Sequence, residues 1–92
     1  MSAVLVGGMD RLRKEYIMAA KALGVSLKVF TGQERSIKSQ IGDIDLMILF
    51  TAKLSHAARQ EAVKHAKSNN IPLHMIHSAG VSALRRCIES TQ

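Results

Sequence analysis

The chain has 92 residues, of which 47% are hydrophobic and only 3% aromatic. This length predicts one domain, residues 1–92, whose single core is marginal unless a ligand or a second copy adds stability. The core must be built from aliphatic side chains, which is typical of helices packed on a parallel sheet. The net charge of +6 favours anionic partners, although a solvated basic surface explains it as well.

A few residue types indicate the cellular compartment and the binding partners that we expect for this protein. The lone cysteine, Cys87, cannot form an internal disulfide and fits a reducing compartment. No charged leader followed by an apolar segment opens the chain, and no apolar run is long enough to span a bilayer, so we expect a cytoplasmic protein without membrane contact. The scarcity of aromatic side chains for base stacking makes nucleic acid an unfavoured partner.

The first half of the chain reads as two strand and helix units. Apolar runs predict strands over residues 3–6 and 25–30, the first ending at Gly7-Gly8 and the second at Thr31-Gly32. Between them, helical spacing from about Asp10 gives an apolar face, and Gly24 stands where a helix often ends. Residues 33–41 carry little apolar character and predict only a short helix at the edge of the fold.

The second half repeats the alternation. Apolar runs predict strands over residues 43–50 and 71–77, with a helix opening at Leu54 or Ser55 between them. A last helix follows the turn at residues 78–80. The resulting βαβαβαβα order predicts a four-stranded parallel sheet in a flavodoxin- or Rossmann-like three-layer α/β sandwich. Right-handed crossovers give the strand order 2-1-3-4.

Polar residues gather where the predicted strands end. Because open α/β sheets bind ligands beyond the carboxyl ends of their strands, we expect the site there. His56 follows the third strand and His77 ends the fourth, so the two should be neighbours and could ligate a metal or haem iron. His65 and His74 fall elsewhere and are read as structural or surface residues. The predicted cofactor-binding set is Gly7, Gly8, Arg11, Thr51, Ser55, His56, His77, Ser78, Gly80 and Ser82.

Each of these signals has a structural alternative. Gly7-Gly8 could let the backbone approach a ligand or could only make a tight turn, and it lacks the further glycine of a dinucleotide fingerprint. Residues 78–82 could present N–H groups to an anion or simply cap the last helix. A histidine at a strand end is often only hydrogen-bonded. No nucleophile and base pair is evident, so an enzyme is the less favoured reading.

The order of these motifs resembles the bacterial family known as domain of unknown function 2325. The resemblance rests on residues 4–8, on the apolar strand running to Thr51 with Ser55-His56 after it, and on Ile71-Pro72 leading to residues 78–84. It implies a compact α/β fold whose shared features are matched by Gly7, Gly8, Ser55, His56, Ser78 and Ser82. Members often carry arginine ahead of the serine, where this chain has His77, a potential metal ligand.

The sequence is compatible with two functions and does not choose between them. The first is a non-enzymatic binding or sensing module, self-associating, with haem held through His56 and His77 and with oxygen as a possible further ligand. The second is a regulatory domain that binds an anion or nucleotide at Gly7-Gly8 and at the helix beginning near Ser78–Ser82.

Overall fold

The computed structural model describes residues 1–31, 43–52 and 54–91. The predicted short helix over residues 33–41 lies outside these ranges. The elements are β1 (Ser2–Val6), a 3-10 helix (Asp10–Leu12), α1 (Arg13–Ala22), β2 (Ser26–Phe30), β3 (Leu46–Phe50), α2 (His56–Ser68), β4 (Leu73–Ile76) and α3 (Val81–Thr91).

The four strands form one parallel sheet in the order β2-β1-β3-β4, which confirms the predicted topology. In register, Leu5 of β1 lies between Val29 of β2 and Ile48 of β3. Leu49 of β3 pairs with Met75 of β4. The carboxyl ends of all four strands therefore meet at one edge of the sheet, where the sequence placed the site.

Both faces of the sheet are covered, because successive side chains of a strand point to opposite sides. Leu5, Ile48 and Phe50 pack in a core with α1 and α3, whereas Met47 and Leu49 pack against α2 on the other face. Every residue of β3 is buried. The fold is thus a three-layer α/β sandwich. Across the described ranges, no helix combines the length and apolar character that a membrane span requires.

Three strands start later than the apolar runs suggest: β3 begins at Leu46 and not at residue 43, and β2 and β4 start late because the helices before them end in Schellman motifs. After α1, the N–H of Val25 bonds to the carbonyl of Ala20 at 2.9 Å, around Gly24 at φ +79°. After α2, the N–H of Ile71 bonds to the carbonyl of Ala66 at 2.9 Å, around Asn70 at φ +54°. Because these two N–H groups bond to the end of the preceding helix, they cannot donate to a neighbouring strand.

The methionines do not all fill the core. Met47 is fully buried, as its strand position predicts, but Met18 is 64% exposed and Met75 is 51% exposed. From their places inside a helix and a strand, Met18 and Met75 would be expected to fill the core, and the structure contradicts that expectation. Met18 lies on the outer side of α1, and Met75 belongs to β4, which ends the sheet and has no strand on its outer side among the described residues.

Candidate functional site: a groove between α2 and β4

An open groove of about 550 Å³ runs between one flank of α2 and the terminal strand β4. Its apolar surface comes from Val63 and Met75, and His56 lies at the end where α2 begins. Among the described residues, the lining consists of His56, Arg59, Gln60, Val63, Lys64, Lys67 and Met75, and none of these is acidic. The groove therefore combines an imidazole, an apolar surface and three cations, within the size range of ligand sites.

The sequence of α2 explains why these side chains share one flank. Ser55 caps the helix, with extended backbone and an Oγ that accepts the N–H of Ala58 at 3.1 Å, so His56 is the first helical residue. Ala58, Ala62 and Ala66 form the buried stripe that packs toward the sheet. Residues at helical spacing from His56 then fall beside that stripe, facing β4.

The His56 side chain is exposed, and its ring has a partner one helical turn away. The amide nitrogen of Gln60 lies 3.0 Å from Nε2 of His56. Because an amide nitrogen only donates, Nε2 of His56 accepts this hydrogen bond with its lone pair. Nε2 could therefore bind a metal only in place of the bond from Gln60.

His77 lies at the same edge of the sheet but has a different partner. Its Nδ1 is 3.3 Å from Oγ1 of Thr51, the residue that follows β3. His77 directly follows the end of β4 at Ile76, and this contact places it beside Thr51 at the carboxyl edge of the sheet. His56 begins α2, the helix that follows β3, although His77 is not among the residues that line the groove.

Gly7 and Gly8 have structural reasons to be glycine. Gly7 has φ +92°, and a Cβ there would lie 2.3 Å from the carbonyl oxygen of Phe50. A Cβ on Gly8 would lie 3.0 Å from the ring of Tyr16. Both residues are buried. These contacts favour the tight-turn interpretation of the pair over direct approach to a ligand.

Tyr16 joins the two turns that the sequence proposed as an anion site. Its hydroxyl accepts the N–H of Met9 at 3.2 Å and donates to the carbonyl of Ala79. The side chain is fully buried, and its ring meets that of Phe50 edge-on at 5.9 Å between centroids. This bridging role of Tyr16 could not be predicted from the sequence, because local spacing does not indicate a bond to a residue as distant in the chain as Ala79.

Removing the Tyr16 hydroxyl tests this connection. Tyr16→Phe should lower the free energy of unfolding by about 1–3 kcal/mol, because the Met9 N–H and the Ala79 carbonyl both lose their partner. Urea denaturation followed by circular dichroism measures the loss. Ser90→Ala is the control, because it removes another hydroxyl-to-carbonyl bond, to Cys87, from the exposed end of α3. A loss in Tyr16→Phe no larger than in the control would contradict the bridging role.

The remaining members of the predicted binding set lie outside the groove. Ser78 Oγ accepts the N–H of Gly80 at 3.2 Å, so this pair shapes the turn before α3. Ser82 is exposed in the first turn of α3. Arg11 is exposed in the 3-10 helix that leads into α1, on the face of the sheet opposite α2.

The other histidines and the cysteine are separate from the groove. His65 lies on the other flank of α2 and lines a polar cleft with Asp43, Asp45 and Asn69 near the amino ends of the strands. His74 is half-buried on β4. Cys87 is buried in the core, and burial raises the pKa of its thiol, which disfavours the reactive thiolate.

Within residues 1–31, 43–52 and 54–91, no group of three or more His, Cys, Asp or Glu side chains could hold a metal ion. An ion bound only by protein ligands needs such a group. Haem brings its own equatorial ligands and takes only one or two axial ligands from the protein.

The strand order and the helices on both faces define a Rossmann-like α/β protein. The groove lies beside the terminal strand of its sheet. A de novo designed Rossmann-fold protein has a similar structure, with a TM-score of 0.63 over 96% of this chain and 93% of the design, at 15% sequence identity. This likeness concerns the fold. No curated protein matches the sequence.

The chain belongs to the bacterial family known as domain of unknown function 2325, whose sequence profile matches residues 2–91. The family is described as an uncharacterized protein conserved in bacteria. Membership confirms the resemblance seen in the glycine pair, the Ser55-His56 turn and the serine-rich turn before α3. It carries no established activity, so the function must be argued from the groove.

Proposed function

We propose that this protein is a non-enzymatic binding or sensing module that holds haem in the groove between α2 and β4, with His56 as an axial ligand. The observation that carries the proposal is the joint presence of His56, an apolar surface and a cationic rim in one groove. Oxygen is a possible further ligand in this proposal, and the cytoplasm is the compartment that the sequence suggests.

The donor set of the groove fits the chemistry of haem. An imidazole nitrogen is a common ligand of haem iron, and Nε2 of His56 has a lone pair that accepts the N–H of Gln60. Binding of the iron by Nε2 would replace the hydrogen bond from Gln60. The loss of this bond costs little free energy, because both side chains are exposed to water. When bound, haem supplies a redox-active iron that can take up small gases.

The other residues that line the groove suit the two parts of haem, which are an apolar ring and negatively charged propionates. Val63 and Met75 offer apolar surface to a macrocycle, since burial of apolar area there is favourable. Arg59, Lys64 and Lys67 can meet propionate carboxylates, and the net charge of +6 adds long-range attraction. The cations and the imidazole lie along the same helix flank, so one ligand can contact both.

The cationic rim provides the first test. Lys64→Glu combined with Lys67→Glu should weaken haem binding by roughly tenfold, because exposed charge pairs each contribute modestly and both change sign. A titration of haem followed by absorbance at low and high salt measures the affinity.

Arg85→Glu combined with Arg86→Glu is the matched control, because it changes the net charge equally on exposed residues of α3. Equal losses in the two double variants would mean that net charge, and not the groove, attracts the ligand. A wild-type protein that takes up no haem in the titration would overturn the proposal itself.

The alternative, an anion- or nucleotide-binding regulatory domain, stays a prediction with less support. The Gly7-Gly8 pair is occupied by contacts with Phe50 and Tyr16, and the N–H of Gly80 is already paired with Ser78. Self-association also stays a prediction. It would be consistent with β4 ending the described sheet.

A further inference from the structure

The strand β4 has a free side, because no described strand pairs with it on the side away from β3. The carbonyls of Pro72 and Ile76 each accept, at 2.9 Å, an N–H group of β3 or of the residue after it, so both point toward β3. Backbone groups of successive residues in a strand point to opposite sides, so those of Leu73 and Met75 point away from the sheet. β4 therefore offers two N–H donors and two carbonyl acceptors to a further strand.

The flank of α2 next to this free side is cationic. Arg59, Lys64 and Lys67 line the groove together with Met75, and all three cations are exposed. None of the three forms an ion pair with a described residue. Lys64 and Lys67 are three residues apart on the helix, where like charges repel each other. An anion bound at this flank would relieve that repulsion.

The spacing of the α2 flank matches the spacing of an extended chain. Arg59, Val63 and Lys67 are four residues apart, so they follow one another along the helix at roughly 6 Å. Alternate residues of a strand lie on the same face, at roughly 6.6 Å from each other. One face of a strand added to β4 would thus bring one side chain to each of these three residues.

We propose that β4 and the flank of α2 bind an acidic, extended segment of a partner protein, which adds to the sheet as a further strand. Hydrogen bonds with the backbone of Leu73 and Met75 hold the segment, and Arg59 and Lys67 pair with carboxylates at alternate positions that flank an apolar residue. The apolar contact with Val63 and Met75 is small, because both are only partly covered. Backbone pairing and charge therefore provide most of the affinity.

An acidic segment fits this edge better than a second copy or a nucleic acid does. Two copies paired through β4 would bring two rows of cations together, and like charges across an interface are costly. A nucleic acid has no backbone amides to pair with a strand. The inference does not depend on haem. If haem also binds in the groove, the two ligands should compete, because both contact the same cations.

The charge pattern is tested with short labelled peptides and fluorescence anisotropy, on protein without added haem. Thr-Glu-Thr-Val-Thr-Glu-Thr should bind, and Thr-Glu-Thr-Val-Glu-Thr-Thr, which moves one carboxylate to the other face, should bind roughly threefold more weakly. Arg59→Glu combined with Lys67→Glu should weaken the first peptide by roughly tenfold and should bind the same peptide with lysine in place of glutamate. Arg85→Glu combined with Arg86→Glu, on exposed residues of α3, is the control of equal net charge.

The backbone pairing is tested by N-methylation of the first peptide on alternate residues, in two complementary versions. Only one of the two sets of N–H groups faces β4, so one version should lose roughly tenfold or more in affinity and the other should keep it. Met75→Pro should also prevent binding, because it removes an outward N–H and keeps the bonds to β3. If this variant fails to fold, as circular dichroism would show, the methylated peptides still decide.

Three results would overturn the inference. Equal affinity of the two methylated peptides would exclude strand addition. Equal weakening in the two double-glutamate variants would mean that net charge alone attracts the peptide. Dimerisation of the wild type that Met75→Pro abolishes, measured by sedimentation, would assign the edge to a second copy. Each of these results leaves the proposed haem function standing, because a haem titration tests that function separately.

Discussion

Replacement of His56 by alanine should remove the absorption spectrum of histidine-bound haem and lower haem affinity by more than roughly a hundredfold, since even loss of an outer-shell partner of a metal ligand can cost that much. His56 is exposed and begins α2, after the Ser55 cap. Its removal should therefore change the free energy of unfolding by no more than about 0.5 kcal/mol. The readouts are a haem titration by absorbance and a urea denaturation of the same preparations.

The matched control is His65→Ala. His65 is on the same helix but lines the polar cleft near the amino ends of the strands, away from the groove. This variant should bind haem as the wild type does. If His65→Ala and His56→Ala lose affinity to the same extent, haem is binding nonspecifically to surface histidines, and the assignment of His56 as axial ligand is wrong.

Gly7→Ala should be the most destabilising single substitution considered for this protein. The new Cβ would lie 2.3 Å from the carbonyl oxygen of Phe50, on a residue whose φ is +92° and whose N–H bonds to Phe30 at 2.8 Å. Left-handed backbone and overpacking together predict a loss of about 2–5 kcal/mol. Urea denaturation gives the value, or the variant fails to fold at all.

Gly24→Ala separates the two causes. Gly24 has a similar φ of +79°, but apart from its own chain neighbours no described residue has an atom within 4 Å of the position where its Cβ would be. It should lose only about 1–2 kcal/mol, the cost of the backbone conformation alone. A Gly7→Ala variant as stable as Gly24→Ala would show that the ends of β1 and β3 do not approach as closely as described.

The topology could be predicted because its signals are local. Each strand is an apolar run ended by a turn, and the alanine stripe of α2 repeats at helical spacing. The first residues of β2 and β4 were harder to predict from the sequence. Val25 and Ile71 are apolar and read as strand, yet each donates its N–H back to the preceding helix. Such a bond depends on the geometry of the helix end, which hydrophobicity alone does not encode.

The candidate site was predicted only in part. The strand order placed His56 and His77 at the carboxyl edge of the sheet, where the one begins α2 and the other follows β4. The groove itself was not foreseen, because it depends on which flank of α2 faces β4. Spacing from His56 could have indicated Arg59, Val63 and Lys67 as one flank, whereas the exposure of Met75 follows from its place on a strand that ends the described sheet.

The glycine pair had two interpretations in the sequence. Glycine lets a backbone approach another group closely, so Gly7 and Gly8 could serve either a ligand loop or a tight turn. In this fold the close groups are the carbonyl of Phe50 and the ring of Tyr16, which come from distant parts of the chain. A sequence shows that glycine is needed at a position, but only the packing shows which group requires it.

If haem binds between α2 and β4, paramagnetic NMR will locate it there. Ferric haem added to isotope-labelled protein should broaden the amide signals of residues 56–67 and 73–77, while iron-free porphyrin shifts them without broadening. Signals of α1 and of the Gly7-Gly8 turn should stay sharp. Broadening centred on residues 7–9 and 78–82, with α2 unaffected, would contradict the account and move the site to the turns joined by Tyr16.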